Sequence, residues 1–159
     1  MEIKYKPIGI IHSPFKNIEG VPIQPSGAKG IQGRVEIHRE FVDGLKDLDG
    51  FSHIILLYHF HLSIGYSLKV IPFFDNSPKG LFATRAPKRP NPIGISVVKI
   101  IRIEDNSLVV ENIDIVDGTP LLDIKPYASF FDNVENEKIG WLIKNIDNAE
   151  KIKSDSRFE

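Results

Sequence analysis

Ile95-Ser96-Val97-Val98-Lys99-Ile100-Ile101-Arg102-Ile103-Glu104 runs into Asp105-Asn106 and then into Ser107-Leu108-Val109-Val110-Glu111. β-branched residues dominate both runs, and a two-residue Asp-Asn spacer is turn chemistry, so the stretch predicts a β-hairpin. Outward from it, other short β-prone segments are cut by Gly and Pro. Upstream, Phe51 to Leu62 is the most apolar run, and its Ile54-Ile55-Leu56-Leu57 centre reads as a strand buried on both faces. Arg34-Val35-Glu36-Ile37-His38 alternates like a half-buried strand, and Ile3 to Ile11 reads as a first strand stopped by Ser13-Pro14. Phe41, Leu45 and Leu48 suit a short helix. Downstream, Ile113 to Val116 meets a turn at Asp117-Gly118-Thr119-Pro120.

The period changes at the end of the chain. Ile139, Leu142, Ile143 and Ile146 recur at helical spacing, with Lys144, Asp147, Lys151 and Lys153 elsewhere on the wheel. The fold class expected is therefore mainly β: a small, single-sheet, largely antiparallel β-barrel with a C-terminal amphipathic helix. The expected division is a barrel domain over 1–135 and a helix and tail over 136–159. No repeat or low-complexity segment interrupts it.

Composition narrows the function classes. The chain has 159 residues, a formal net charge of −1 and no cysteine. Disulfides, thiolate metal sites and a cysteine nucleophile are excluded, and affinity for nucleic acid has to come from a local patch. No run is long enough for a membrane helix and no signal-peptide core stands at the N-terminus, so the reading is a cytoplasmic protein without a membrane partner.

The motifs of P-loops, dinucleotide-binding folds, nucleophile elbows and zinc proteases are missing. Gly27, Gly30 and Gly33 are spaced by three, which is not the dinucleotide fingerprint. His53, His59 and His61 share parity, so on a regular strand they would leave one face and could hold a zinc. No carboxylate lies near them in sequence to orient the imidazoles, and a structural or substrate-contact role is favoured over a metal site.

The least ordinary stretch is Phe82-Ala83-Thr84-Arg85-Ala86-Pro87-Lys88-Arg89-Pro90-Asn91-Pro92-Ile93-Gly94. Three prolines force an extended, stiff loop with little freedom to lose on binding. Arg85, Lys88 and Arg89 supply cation and the stretch holds no acid, which suits a carboxylate or phosphate. The competing reading is a solvated basic surface loop.

That stretch, taken with Pro7-Ile8-Gly9-Ile10-Ile11-His12-Ser13-Pro14-Phe15, Val21-Pro22-Ile23-Gln24-Pro25, Phe51-Ser52-His53, Asp117-Gly118-Thr119-Pro120 and Asp123-Ile124-Lys125-Pro126-Tyr127, closely resembles the TsaA-like (TrmO) family, in the same order. The resemblance implies a single-sheet barrel methyltransferase, using S-adenosyl-L-methionine to methylate the N6 nitrogen of N6-threonylcarbamoyladenosine beside the tRNA anticodon. It further implies a homodimer, and longer bacterial members with an additional C-terminal domain.

Under that resemblance the cofactor site comprises Gln24, Pro25, Ser26, Gly27, His61, Leu62, Arg85, Ile95, Ile115, Val116, Asp117 and Gly118. Arg85 would take the cofactor carboxylate, with Ile95 and Val116 against the adenine. Asp123, Lys125 and Tyr127 would be catalytic: Asp123 or Tyr127 as base toward the exocyclic nitrogen, Lys125 stabilising negative charge. Lys88, Arg89 and Asn91 would bind the substrate base. Two other classes compete: a non-catalytic RNA- or nucleotide-binding barrel, and a metal hydrolase built on the three histidines.

Overall fold

In the computed structural model, which describes residues 1–145, 147 and 150–158, the hairpin read from Ile95 to Glu111 is part of a closed barrel. The barrel strands are β1 (Gly9–His12), β2 (Gln32–Ile37), β3 (His53–His59), β6 (Ile93–Glu104), β7 (Ser107–Glu111) and β8 (Thr119–Pro126). β4 (Lys69–Val70) and β5 (Lys79–Gly80) form a separate two-stranded ribbon. Around the barrel the order is β1-β2-β7-β6-β3-β8, with β8 returning to β1 and every pairing antiparallel. Closure leaves no free edge. Register shifts at Ile100/Arg102 on β6 and at Leu57/Tyr58 on β3 mark the bends that closure needs.

The core follows strand parity. Ile54, Leu56 and Tyr58 point inward from β3, opposite Val98, Ser96 and Gly94 of β6 in register. Ile11, Val35, Ile37, Leu108, Val110 and Leu121 complete the interior. Gly94 is required where it stands: a Cβ there would lie 2.2 Å from Cε2 of Tyr58. Its absence seats the tyrosine ring inside the barrel mouth.

Three expectations need correction. β3 is not buried on both faces: Ile55 and Leu57 are only half-buried, because the outer side of the barrel has little packed over it there. The residues Thr119-Pro120, read as turn, open β8. The turn itself is Asp117-Gly118, with Gly118 at φ +77°, and Pro120 still fits the ladder as the partner of Ile10. Lastly, the helical period near the C-terminus yields a short 3-10 segment, Gly140–Lys144, beginning at a glycine with φ +58°. Ile146 lies outside the described residues. An α-helix does form earlier, at Ser129–Asp132 (α1).

The C-terminal tail is fastened to the loops at one barrel end. Trp141 Nε1 donates to the Ala83 carbonyl (2.8 Å), Ser154 N to that of Val21 (2.9 Å), and Phe158 is buried against Val70, Leu81, Ala86 and Phe73. These residues form a second, smaller core beside the barrel. No helix among the described residues is long and apolar enough to cross a membrane.

Candidate cofactor and substrate site

At the end where β3 stops, β6 starts and β8 starts, the loops enclose a cleft of about 730 Å³. Ile18, Ile23, Phe60, Phe73 and Phe74 give it apolar walls, and Trp141, Ser154 and Phe158 of the tail close one side. Large volume, apolar walls and a few convergent polar groups are the marks of a small-molecule site.

The proline loop is built to keep its shape. After a 3-10 turn at Leu81–Ala83, the Thr84 hydroxyl donates to the Leu81 carbonyl (2.7 Å) and accepts from Ala86 N (3.3 Å). Arg89 Nη1 donates to the carbonyls of Thr84 (2.9 Å) and Ala86 (3.3 Å), with its guanidinium over the Phe82 ring at 5.8 Å. Arg89 thus lines the cleft but acts as an internal staple of its own loop. Arg85 is different. It is exposed to the cleft and donates from Nη1 to Gln24 Oε1 at 3.0 Å, which ties the proline loop to the long loop before β2.

Of the residues singled out as cofactor contacts, Gln24, His61, Leu62, Arg85, Ile95, Ile115 and Val116 line this one cleft. Pro25, Ser26 and Gly27 belong to the adjacent 3-10 turn Pro25–Ala28, behind Gln24. Asp117 and Gly118 form the turn between the lining residues Val116 and Thr119. The Asp117 carboxylate is engaged elsewhere: it accepts from Lys16 Nζ (2.7 Å) and from Ser13 N (3.0 Å). The Lys16 hydrogen bond, then that of Ser13, holds it below the usual carboxylate range. Lys88 and Asn91 sit on the proline loop outside the lining residues.

The three residues expected to be catalytic are not in the cleft of their own chain. In register, Asp123 lies opposite Leu57 and Lys125 opposite Ile55, while Tyr127 N donates to the His53 carbonyl. At about 3.3 Å per residue they stand roughly 13, 20 and 26 Å along β8 from Thr119. They do form a local group. Lys125 Nζ pairs with Asp123 Oδ2 at 2.8 Å, Asp123 Oδ1 accepts from Ile124 N at 2.9 Å, and the Tyr127 hydroxyl donates to Asn133 Oδ1 at 3.1 Å.

The histidines also separate. His53 and His59 occupy opposite ends of seven-residue β3, and His61 lies beyond it in the cleft, with Nδ1 3.3 Å from the Thr119 hydroxyl. Burial, with the neighbouring His59, pulls His61 below its ordinary value and favours a neutral ring. Among the described residues, no group of three His, Asp or Glu side chains is placed to hold a metal ion.

Sequence reasoning missed the polar group at the cleft: Tyr58 and Asp114, which line it, and the buried Ser96 that links them. The signal was present but faint. Asp114 interrupts the buried pair Ile113 and Ile115, and Ser96 is the sole hydroxyl in the otherwise apolar start of β6.

The protein-family model described as the tRNA-methyltransferase O N-terminal domain matches residues 10–133. A probable S-adenosyl-L-methionine-binding protein of Pyrococcus abyssi is 57% identical over 156 residues, covering 98% of this chain and 85% of that protein. The tRNA (adenine(37)-N6)-methyltransferase of Escherichia coli is 36% identical over 141 residues, covering 82% of this chain but 60% of the longer enzyme. Among solved structures, the crystal structure of TrmO from Pseudomonas aeruginosa superposes with a TM-score of 0.75 at 38% identity, over 89% of this chain and 63% of that one.

Proposed function

The chain belongs to the tRNA-methyltransferase O N-terminal domain family, and we propose that it is an S-adenosyl-L-methionine-dependent tRNA methyltransferase acting on the N6 nitrogen of the adenosine beside the anticodon, with N6-threonylcarbamoyladenosine as the substrate base. The observation that carries this reading is the cleft, where Arg85, Gln24, His61, Ile95, Ile115 and Val116 converge from segments far apart in sequence. These residues fit the cofactor: a guanidinium for a carboxylate, apolar side chains for a purine, and a volume of about 730 Å³.

When bound, the cofactor supplies a methyl group on a sulfonium, a good leaving group. The protein then has two tasks. Arg85, aligned by Gln24, fixes the carboxylate end, and the rigid proline loop holds that alignment without a large ordering cost. The second task is to remove the proton of the exocyclic nitrogen, which is conjugated to the purine and to a carbonyl. Asp123 or Tyr127 serves as base, with Lys125 beside Asp123 to stabilise negative charge. Lys88 and Asn91, with Arg89 bracing their loop, hold the modified base.

Because the Asp123 group lies away from the cleft of its own chain, the working enzyme is a homodimer in which one protomer's β8 group serves its partner's cleft. Next to that group, Phe130, Phe131 and Val134 are 93%, 69% and 74% exposed, an apolar patch of the kind that subunit contacts cover. The cytoplasm, where tRNA is modified, is its place of work. Residues 1–135 are the barrel domain and 136–159 the tail, from which Trp141, Leu142, Ser154 and Phe158 line the cleft.

The separation of Asp123 from the cleft also favours a second reading, a cofactor-binding barrel that performs no transfer. Cofactor titration together with single-turnover methylation of threonylcarbamoylated tRNA decides between them. Binding with N6 methylation supports the enzyme; binding without transfer supports the second reading; absence of binding overturns both.

A further inference from the structure

Asp114 is the only acidic side chain among the described residues lining the cleft, whose charged residues are otherwise Arg85 and Arg89. It closes a directed chain of hydrogen bonds across the barrel mouth. Ser96 Oγ donates to Asp114 Oδ1 at 2.6 Å and lies 3.0 Å from the Tyr58 hydroxyl. A serine has one hydroxyl proton, so with that proton on Asp114 the Tyr58 O–H must donate to Ser96. Both hydroxyls therefore point toward the carboxyl. Tyr58 is itself seated by the missing Cβ of Gly94, so the barrel sets the position of all three groups.

Two donors in series prepare a carboxylate, yet among the described residues no cation forms an ion pair with it. Arg85, the cation that acts on it, donates instead to Gln24 Oε1. Arg89 is spent on backbone carbonyls. An oriented carboxyl without a partner cation, in an apolar cleft, is a receptor for positive charge on a ligand. The cofactor proposed above carries two such charges, an ammonium and a sulfonium.

Resting on that cofactor reading, we propose that Asp114 is the specificity-determining receptor for the positive charge of the bound cofactor, oriented by Ser96 and Tyr58. The charged and titratable groups that face Asp114 are Tyr58 from β3 and Arg85 from the proline loop. Burial pushes the Asp114 carboxyl up to about 7, against the opposing pull of Ser96 and Arg85, and burial with the Asp114 charge pushes the Tyr58 hydroxyl up, so Tyr58 stays a donor. A bound cation selects the ionised carboxyl. Affinity for a cationic ligand should therefore weaken as pH falls below 7, where the free carboxyl is increasingly protonated.

The test is calorimetric titration of the full chain with three probes: S-adenosylmethionine (ammonium and sulfonium), S-adenosylhomocysteine (ammonium only) and methylthioadenosine (neither). Asp114→Asn should weaken S-adenosylmethionine by about tenfold or more and leave methylthioadenosine within about twofold. A parallel loss for S-adenosylhomocysteine assigns the carboxyl to the ammonium; its retention assigns it to the sulfonium. Unchanged S-adenosylmethionine affinity, or an equal loss for all three probes, overturns the proposal. Should the variant not fold, the wild type decides: between pH 7.0 and 5.5 S-adenosylmethionine should weaken about tenfold while methylthioadenosine stays flat, and a flat profile for both overturns it. Failure of the wild type to bind any probe would overturn the cofactor reading, and this inference with it.

Discussion

The two halves of β8 make an instructive contrast. At Thr119 and Leu121 the strand faces the interior: Thr119 is buried beside His61, and Leu121 is fully buried among core residues. From Asp123 onward the strand carries the Asp123–Lys125 ion pair on partly exposed side chains, Tyr127 follows just past its end, and none of the three lines the cleft. The first half belongs to a pre-formed pocket with a rigid rim. The second half belongs to a surface that needs something brought to it. On the proposed reading, one chain holds a cofactor cleft at one end and a detached acid–base group at the other, so cofactor affinity and the rate of the transfer step should respond to substitutions at different ends.

The largest effect expected is at the detached end. Asp123→Asn should lower single-turnover methyl transfer by roughly 10²–10⁴-fold and leave cofactor affinity unchanged. Methylation at the wild-type rate would remove Asp123 from the mechanism. The contrast becomes sharper by mixing: at a cofactor concentration too low to load Arg85→Ala, Asp123→Asn and Arg85→Ala chains, each nearly silent alone, should recover roughly a quarter of wild-type activity when co-refolded, because half the proposed dimers carry one site with both groups intact. No recovery would show that both groups must come from one protomer.

Arg85→Ala works on the pocket end. Loss of a charge-assisted hydrogen bond costs roughly 1.5–3 kcal/mol, so cofactor affinity should fall by about one to two decades with the fold intact. Unchanged affinity in titration calorimetry would refute the assignment. Gly94→Ala probes the scaffold beneath: the new Cβ meets the Tyr58 ring, and overpacking of this kind costs about 1–3 kcal/mol. Thermal denaturation should show a Tm lower by several degrees, and cofactor binding should weaken with it because Tyr58 must move.

How far these features could be read from the chain differs between the two regions. The hairpin of β6 and β7 was legible because β-branched runs and an Asp-Asn turn are local signals, and Asp105 does adopt the positive φ, +51°, of that turn. The start of β8 was not, since Gly118-Thr119-Pro120 is turn chemistry in isolation and only pairing with Ile10 and Ile11 makes it a strand. The C-terminal period read as a helix because spacing ignores Gly140, whose positive φ starts a 3-10 segment instead. In the pocket, Arg85 stood out by motif. Asp114 did not, because its meaning depends on Ser96 and Tyr58, 18 and 38 or more residues away from their partners in the hydrogen-bond chain. Long-range convergence leaves little trace in local spacing.

The smallest effect lies at the junction of the two regions, where Asp117 fixes the turn that starts β8. Its folded pKa is lowered by Lys16 and Ser13, so it contributes stability above its unfolded value near 3.8 and loses that contribution as pH falls through the lower folded value. The Lys16 partner is largely exposed, with 70% of its side chain accessible, so solvent screening limits the contribution to less than about 1 kcal/mol. Asp117→Asn should therefore lower the Tm slightly at pH 7 and leave it closer to wild type at pH 3. The part due to Lys16 should also fade at high salt, while the hydrogen bond from Ser13 N persists in the asparagine variant through its side-chain oxygen. A wild-type and variant difference that grew toward acid would contradict the assigned sign. Because the turn leads directly to Thr119 at the rim, cofactor affinity should follow the Tm only weakly, and a loss beyond about tenfold would mean that Asp117 touches the ligand after all.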